Sequence, residues 1–149
     1  LRNELPAGIA LDSYPGALGQ VLSNLLNNAG LHAFPEEGPV PEGGWRVCLS
    51  VFDAPAGQVG LRVSDNGRGM AADTLARVFE PFFTTRLGQG GSGLGMSIVR
   101  NIVIGLLGGR IQVQSQPGAG TVIDLLLPLV APRREASNVS QESVIYAVR

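Results

Sequence analysis

Hydrophobic and polar positions follow two different periods along this chain. Residues 15–29 carry Leu18, Val21, Leu22, Leu25, Leu26 and Ala29, spaced as on one helical face. Residues 94–107 form a second apolar helical pattern, closed by Gly108-Gly109. Residues 45–52 and 59–64 alternate with period two instead, and Ala54-Pro55-Ala56-Gly57 joins them as a hairpin. Residues 110–115 and 121–127 read as two further strands around a turn at 118–120. Modest alternation over residues 8–14, ending at Pro15, predicts a short strand, and residues 71–79 predict a short helix. Residues 35–44 hold three prolines, three glycines and three glutamates and read as a loop. The order strand, helix, hairpin, helix, hairpin predicts an α/β (α+β) two-layer sandwich with helices on one face of a sheet. One domain is expected over residues 1–132. Residues 133–149 read as a polar, frayed tail in which Val144-Ile145-Tyr146 docks weakly.

Composition narrows the chemistry. Glycine accounts for 21 of 149 residues, and fourteen of these lie between Gly57 and Gly120. Such clustering points to special backbone geometry and close approach to a ligand. All eleven cations are arginine, so a P-loop, which needs a lysine on the phosphates, is excluded. The net charge of −1 and the absence of a basic run argue against a nucleic-acid partner. Cys48, the only cysteine, cannot form an internal disulfide and reads as a small core hydrophobe. No apolar run is long enough for a bilayer, so a soluble chain in a reducing compartment is expected.

Five motifs stand in order. Gln20, Asn24 and Asn28 recur every four residues and share a helical face. Neutral amides of this kind suit a hydrated magnesium ion completed by phosphate oxygens, or else form a solvated helix face. Asp65-Asn66-Gly67-Arg68-Gly69-Met70 places a carboxylate at a strand end, where it accepts from an exocyclic amine or closes an Asx turn. Phe79-Glu80-Pro81-Phe82-Phe83 supplies aromatic anchors, and Thr84, Thr85 and Arg86 follow with hydroxyls and charge. Gly90-Gly91-Ser92-Gly93-Leu94-Gly95-Met96 precedes a helix start, a place that favours phosphate; read alone it is equally a linker. Gly118-Ala119-Gly120-Thr121 comes last. His32, the only histidine, is either a nucleotide contact or a capping or surface residue, and a zinc site lacks its ligands.

Together these motifs resemble the catalytic ATP-binding domain of bacterial two-component sensor histidine kinases, over about residues 8–130. The segment 24–29 is similar to the family's N box, 65–69 to its first glycine box, 79–83 to its F box, 91–95 to its second glycine box and 118–121 to its last. The resemblance implies a Bergerat ATP-binding fold, a mixed, mostly antiparallel sheet backed by helices. It implies ATP and Mg2+ as cofactors, with Asn28 on the metal and Asp65 on adenine N6. Gly67 and Gly69 would line the base, and Thr121 would support it. Residues 84–93 would form a mobile lid, with Gly93 and Gly95 near the phosphates. Asn24, His32, Met70, Thr84, Thr85, Arg86, Gly91, Ser92, Leu94 and Met96 complete the implied nucleotide site, and Asn24, Asn28 and Arg86 the catalytic set. Many members carry a lysine where Leu31 stands, and His32 or Arg86 is the replacement charge. Hydrolytic relatives place a glutamate where this chain has Asn24, whose amide is no general base.

The implied function is donation of the ATP γ-phosphate to a histidine on a separate helical dimerisation and phosphoacceptor domain that this chain lacks, for relay to a response-regulator receiver domain. The resemblance implies a monomeric fragment of a homodimeric, cytoplasmic or inner-membrane-anchored kinase. Two alternatives stay open: an ATP-hydrolysing conformational switch of the same superfamily, and a non-enzymatic nucleotide sensor.

Overall fold

A computed structural model describes residues 1–6, 8–34, 40–86 and 91–133. Five strands form one sheet: β1 (Arg2–Asn3), β2 (Val47–Phe52), β3 (Gln58–Asp65), β4 (Arg110–Gln116) and β5 (Gly120–Pro128). Their order is β1-β2-β3-β5-β4, with β1 parallel to β2 and every other pair antiparallel. Helices α1 (Pro15–Asn28), α2 (Ala72–Ala76) and α3 (Gly95–Asn101) accompany it. The predicted α/β class with a mixed, mostly antiparallel sheet is the observed one.

The core follows from the two periods. Val21 and Leu25 project from α1, and Val99 from α3, onto Val59, Leu61 and Val63 of β3 and Ile123, Leu125 and Leu127 of β5. Alternation sends the intervening residues to the opposite face. There Arg62 donates from Nε and Nη2 to the two carboxylate oxygens of Asp124, each at 2.7 Å, and its guanidinium lies 5.3 Å from the Phe52 ring centre. Leu125 is fully buried. Leu125→Ala should therefore cost about 2–5 kcal/mol, the usual range for emptying such a site. Urea unfolding measures this, and a loss below about 1 kcal/mol would place Leu125 outside the core.

Several expectations need correction. Residues 8–14 form no strand. Gly8 adopts φ +92°, which breaks an extended run, and only Asp12 pairs, in an isolated parallel bridge to Val130. The first strand is instead Arg2–Asn3, two residues beside Cys48 and Leu49. Both long helices end in π-helical turns, Ala29–Ala33 and Ile102–Leu106. The α-helical part of 71–79 is limited to Ala72–Ala76. Cys48 is not a core residue, because alternation in β2 gives Val47, Leu49 and Val51 to the core. Burial together with a hydrogen bond to Glu4 raises its thiol pKa. Phe82, expected to anchor the segment with Phe79 and Phe83, is 74% exposed and holds φ +64°. The expected tail lies outside the described residues beyond 133, as do residues 87–90 of the expected lid.

Candidate functional site

The inner face of the sheet changes character in its last row. Val47, Asp65, Thr121 and Ser115 are partners across β2, β3, β5 and β4 in turn. Asp65 continues the inward series Val59, Leu61, Val63, just as Thr121 precedes Ile123 and Leu125. A cleft of about 490 Å³ opens over this row and extends to the α1 face that carries Asn24 and Asn28.

Asp65 forms the floor. Its Oδ1 accepts from Gly67 N at 2.9 Å and from Thr121 N at 3.2 Å. Both bonds use one oxygen, so Oδ2 is the one left for a ligand among the described residues. Burial raises the Asp65 pKa above the usual carboxylate value, and the two N–H donors offset part of that rise. The glycines make this packing possible. Gly69, at φ +64°, sits against the Gln116 carbonyl, and Gly120, at φ +81°, sits against the Asp65 carbonyl. Neither position has room for a Cβ.

The opposite end carries amides, hydroxyls and glycines. Asn24, Asn28, Thr84, Thr85, Gly91, Ser92, Gly93 and Gly95 line it. Asn28 Oδ1 would lie 3.3 Å from a Cβ placed on Gly95, so this amide stands against the start of α3. Asn24 Nδ2 is buried with no hydrogen-bond partner among the described residues. An orphaned donor beside a second amide fits an oxygen-rich ligand. The described residues contain no group of three or more His, Cys, Asp or Glu able to hold a metal. An ion here would need ligand oxygens beside Asn28, which is how magnesium commonly binds.

His32 lies in the π-helical turn after α1, with Nδ1 3.4 Å from Thr85 Oγ1. Its backbone carbonyl accepts from Arg68 Nε at 2.7 Å. Burial first, then the charges of Arg86 and Arg68, lower its pKa below the usual 6.5. His32 is therefore neutral at pH 7, and the positive charge beside it belongs to the arginines. Since the folded-state pKa lies below the unfolded one, His32 contributes stability that is present above pH 6.5 and lost as pH falls through the folded value. NMR titration of the His32 ring should give a midpoint below 6.5. A midpoint above it would return the lysine-like role to His32.

The cleft gathers fourteen of the residues singled out from the sequence: Asn24, Asn28, His32, Asp65, Gly69, Met70, Thr84, Thr85, Gly91, Ser92, Gly93, Gly95, Met96 and Thr121. Gly67, Arg86 and Leu94 do not line it. Gly67 packs on the Ala33 backbone instead, and Leu94 turns its carbonyl into α3, accepting from Ser97 Oγ at 2.9 Å. Gln20 is exposed one turn before the amide pair. Among the lining residues that sequence reading missed are Val63, Arg68, Thr74, Val78, Phe83 and Ile123. Val63 and Ile123 carried a usable signal, the inward phases of β3 and β5.

Among the described residues, no helix is long and apolar enough to cross a membrane. The family described as histidine kinase-, DNA gyrase B-, and HSP90-like ATPase matches residues 14–131. Sensor histidine kinase ZraS of Escherichia coli K12 is 40% identical over 121 residues, covering 81% of this chain and 23% of ZraS. The autoinducer 2 sensor kinase/phosphatase LuxQ of Vibrio parahaemolyticus is 34% identical over 136 residues, 87% of this chain and 15% of LuxQ. The chain thus spans about a quarter or less of the curated relatives it matches. The solved catalytic domain of histidine kinase ThkA superposes with a TM-score of 0.69 at 27% identity, covering 86% of this chain and 77% of that one. Full-length ShkA in complex with AMPPNP gives 0.61 at 30% identity, over 85% of this chain and 25% of that one. With the glycine-lined cleft, the inward Asp65 and the two α1 amides in place, the chain belongs to the histidine kinase-, DNA gyrase B- and HSP90-like ATPase family, and its matched relatives are sensor histidine kinases.

Proposed function

We propose that this chain is the Mg-ATP-binding catalytic part of a sensor histidine kinase. In this reading it presents the γ-phosphate to a histidine on a separate helical domain of a cytoplasmic-facing homodimer. A response-regulator receiver domain then takes the phosphate. The observation that carries the reading is Asp65, a carboxylate whose Oδ2 has no partner among the described residues, at the floor of a cleft whose far end is lined by amides and glycines. That the similar ShkA was solved in complex with AMPPNP supports nucleotide binding.

Each residue then has a task. Asp65 Oδ2 accepts from the adenine amine. Asn28 shares a magnesium ion with phosphate oxygens. Thr84, Thr85, Gly91, Ser92, Gly93 and Gly95 enclose the phosphate end, and Arg86 supplies charge beside a neutral His32. When bound, the nucleotide supplies the phosphoryl group, and the acceptor imidazole supplies the nucleophile. Positioning and charge neutralisation are what this chain contributes.

The hydrolase reading needs a general base, and the geometry offers none at the expected place. Asn24 is an amide. Glu80 is held by Arg77 Nε at 2.8 Å and does not line the cleft. Steady-state phosphate release from the wild type should be slow and unchanged in Glu80→Gln. A longer chain that includes the upstream helices should acquire acid-labile phosphate from labelled ATP. Rapid release that collapses in Glu80→Gln would favour the hydrolase.

A further inference from the structure

Three hydrogen-bond contacts meet on one hydroxyl behind the floor of the cleft. Ser115 Oγ lies 2.9 Å from Met70 N, 2.9 Å from Gly120 O and 2.9 Å from Thr121 Oγ1. A serine hydroxyl has one hydrogen and two lone pairs. The Met70 N–H only donates, so it occupies one lone pair. The Gly120 carbonyl only accepts, so it takes the single hydrogen. One lone pair remains, and Thr121 must therefore be the donor to it. This assignment is the one arrangement in which all three contacts are satisfied.

The consequence falls on Thr121. Its hydroxyl has a single hydrogen, and that hydrogen is committed inside the wall. Thr121 Oγ1 then meets the cleft with lone pairs only. Its neighbour Asp65, joined to it by the Thr121 N–H bond at 3.2 Å, also presents only acceptors when ionised. The floor contributed by Asp65 and Thr121 is acceptor-only. Placed against the exocyclic group, such a surface matches an amine and opposes a carbonyl.

We infer that Ser115 is a positioning residue for nucleobase selectivity: by holding the Thr121 hydroxyl hydrogen it keeps that side chain an acceptor in direct contact with the exocyclic amine of the bound base. The inference rests on the nucleotide reading above. It differs in claim, because it concerns discrimination between bases and not binding as such. It also assigns work to a residue that lies just behind the cleft lining.

ATP and inosine triphosphate make the direct comparison. Inosine triphosphate carries a carbonyl in place of the adenine amine, with a hydrogen on the adjacent ring nitrogen. Calorimetric titration should show the wild type preferring ATP. In Ser115→Ala the Thr121 hydroxyl can rotate and donate into the cleft. The ratio of ATP to inosine triphosphate affinity should then fall by roughly 2- to 12-fold, the range for one neutral hydrogen bond. Ser115→Thr keeps the hydroxyl and should restore the wild-type ratio. Ser115→Cys keeps the volume with a much weaker acceptor, and it carries the same test should the alanine variant melt too early. Equal loss of both affinities in the alanine or cysteine variant, with the ratio unchanged, would show a merely structural role and overturn the inference while leaving the nucleotide reading intact. Failure of the wild type to bind either nucleotide would bring down both.

Discussion

Asp65→Asn should weaken ATP binding by roughly 10- to 100-fold, because a hydrogen bond to a charged acceptor contributes about 1.5–3 kcal/mol. The amide can turn a donor toward the adenine amine, which is itself a donor. The pH dependence separates this effect from a general loss of fit. Burial raises the Asp65 pKa, so the free protein takes up a proton here at a higher pH than an exposed aspartate does. Affinity for ATP should fall as pH drops through that raised value, and the asparagine variant should lack this inflection. The same raised pKa gives the matching stability trend. The contribution of Asp65 is fully present below its unfolded pKa and is lost as pH rises through the folded one. Calorimetric titration from neutral to acid pH measures the binding limb. A variant that retains both wild-type affinity and the same inflection would remove Asp65 from the base site.

Gly120→Ala should damage the fold and the site together. Gly120 holds φ +81°, and a Cβ there would run into the Asp65 carbonyl and stand 3.0 Å from Asn66 Cα. Left-handed strain combined with a forced shift of paired strands should cost roughly 3 kcal/mol or more. For a domain of this size that is about 6–12 °C in Tm. Gly118 is the control: at φ +78° it has nothing within 4 Å of its Cβ position among the described residues. Gly118→Ala should cost only the conformational strain, about 1 kcal/mol. Differential scanning calorimetry of the two variants reads out the difference. Equal melting temperatures would mean that the β3–β5 approach tolerates a methyl group.

The long elements were legible because each keeps one period for many residues. Val21 and Leu25 mark the α1 face, and alternation marks β2, β3, β4 and β5. Short-range features were less visible. β1 is only two residues long, too short for any alternation to register. The π-helical turns depend on where α1 and α3 end against the sheet, and local spacing does not encode that. Cys48 looked like core because its neighbours are apolar, yet strand parity turns it away. Phe82 looked like an anchor by residue type, while its left-handed backbone turns it outward. In the cleft, the glycine clusters announced close packing, and Asp65 and Thr121 were visible as strand-end polar residues. Ser115 was not. Its part depends on the register that sets β4 beside β5, a relation that emerges only from tertiary pairing.

The sheet order also fixes when this sheet can close during synthesis. β5 is the last of the described strands to be made, yet it sits between β3 and β4. Until it emerges, β3 lacks its inner neighbour and β4 has no sheet partner at all. Strands paired across a long loop must meet the cost of loop closure before any contact rewards it. Thr121 reaches Asp65 only at that step, so a nascent chain holding every earlier motif still has no wall at this end of the cleft. A ligand that depends on this wall acts after the sheet has closed: it slows the return journey and does little to hasten the outward one.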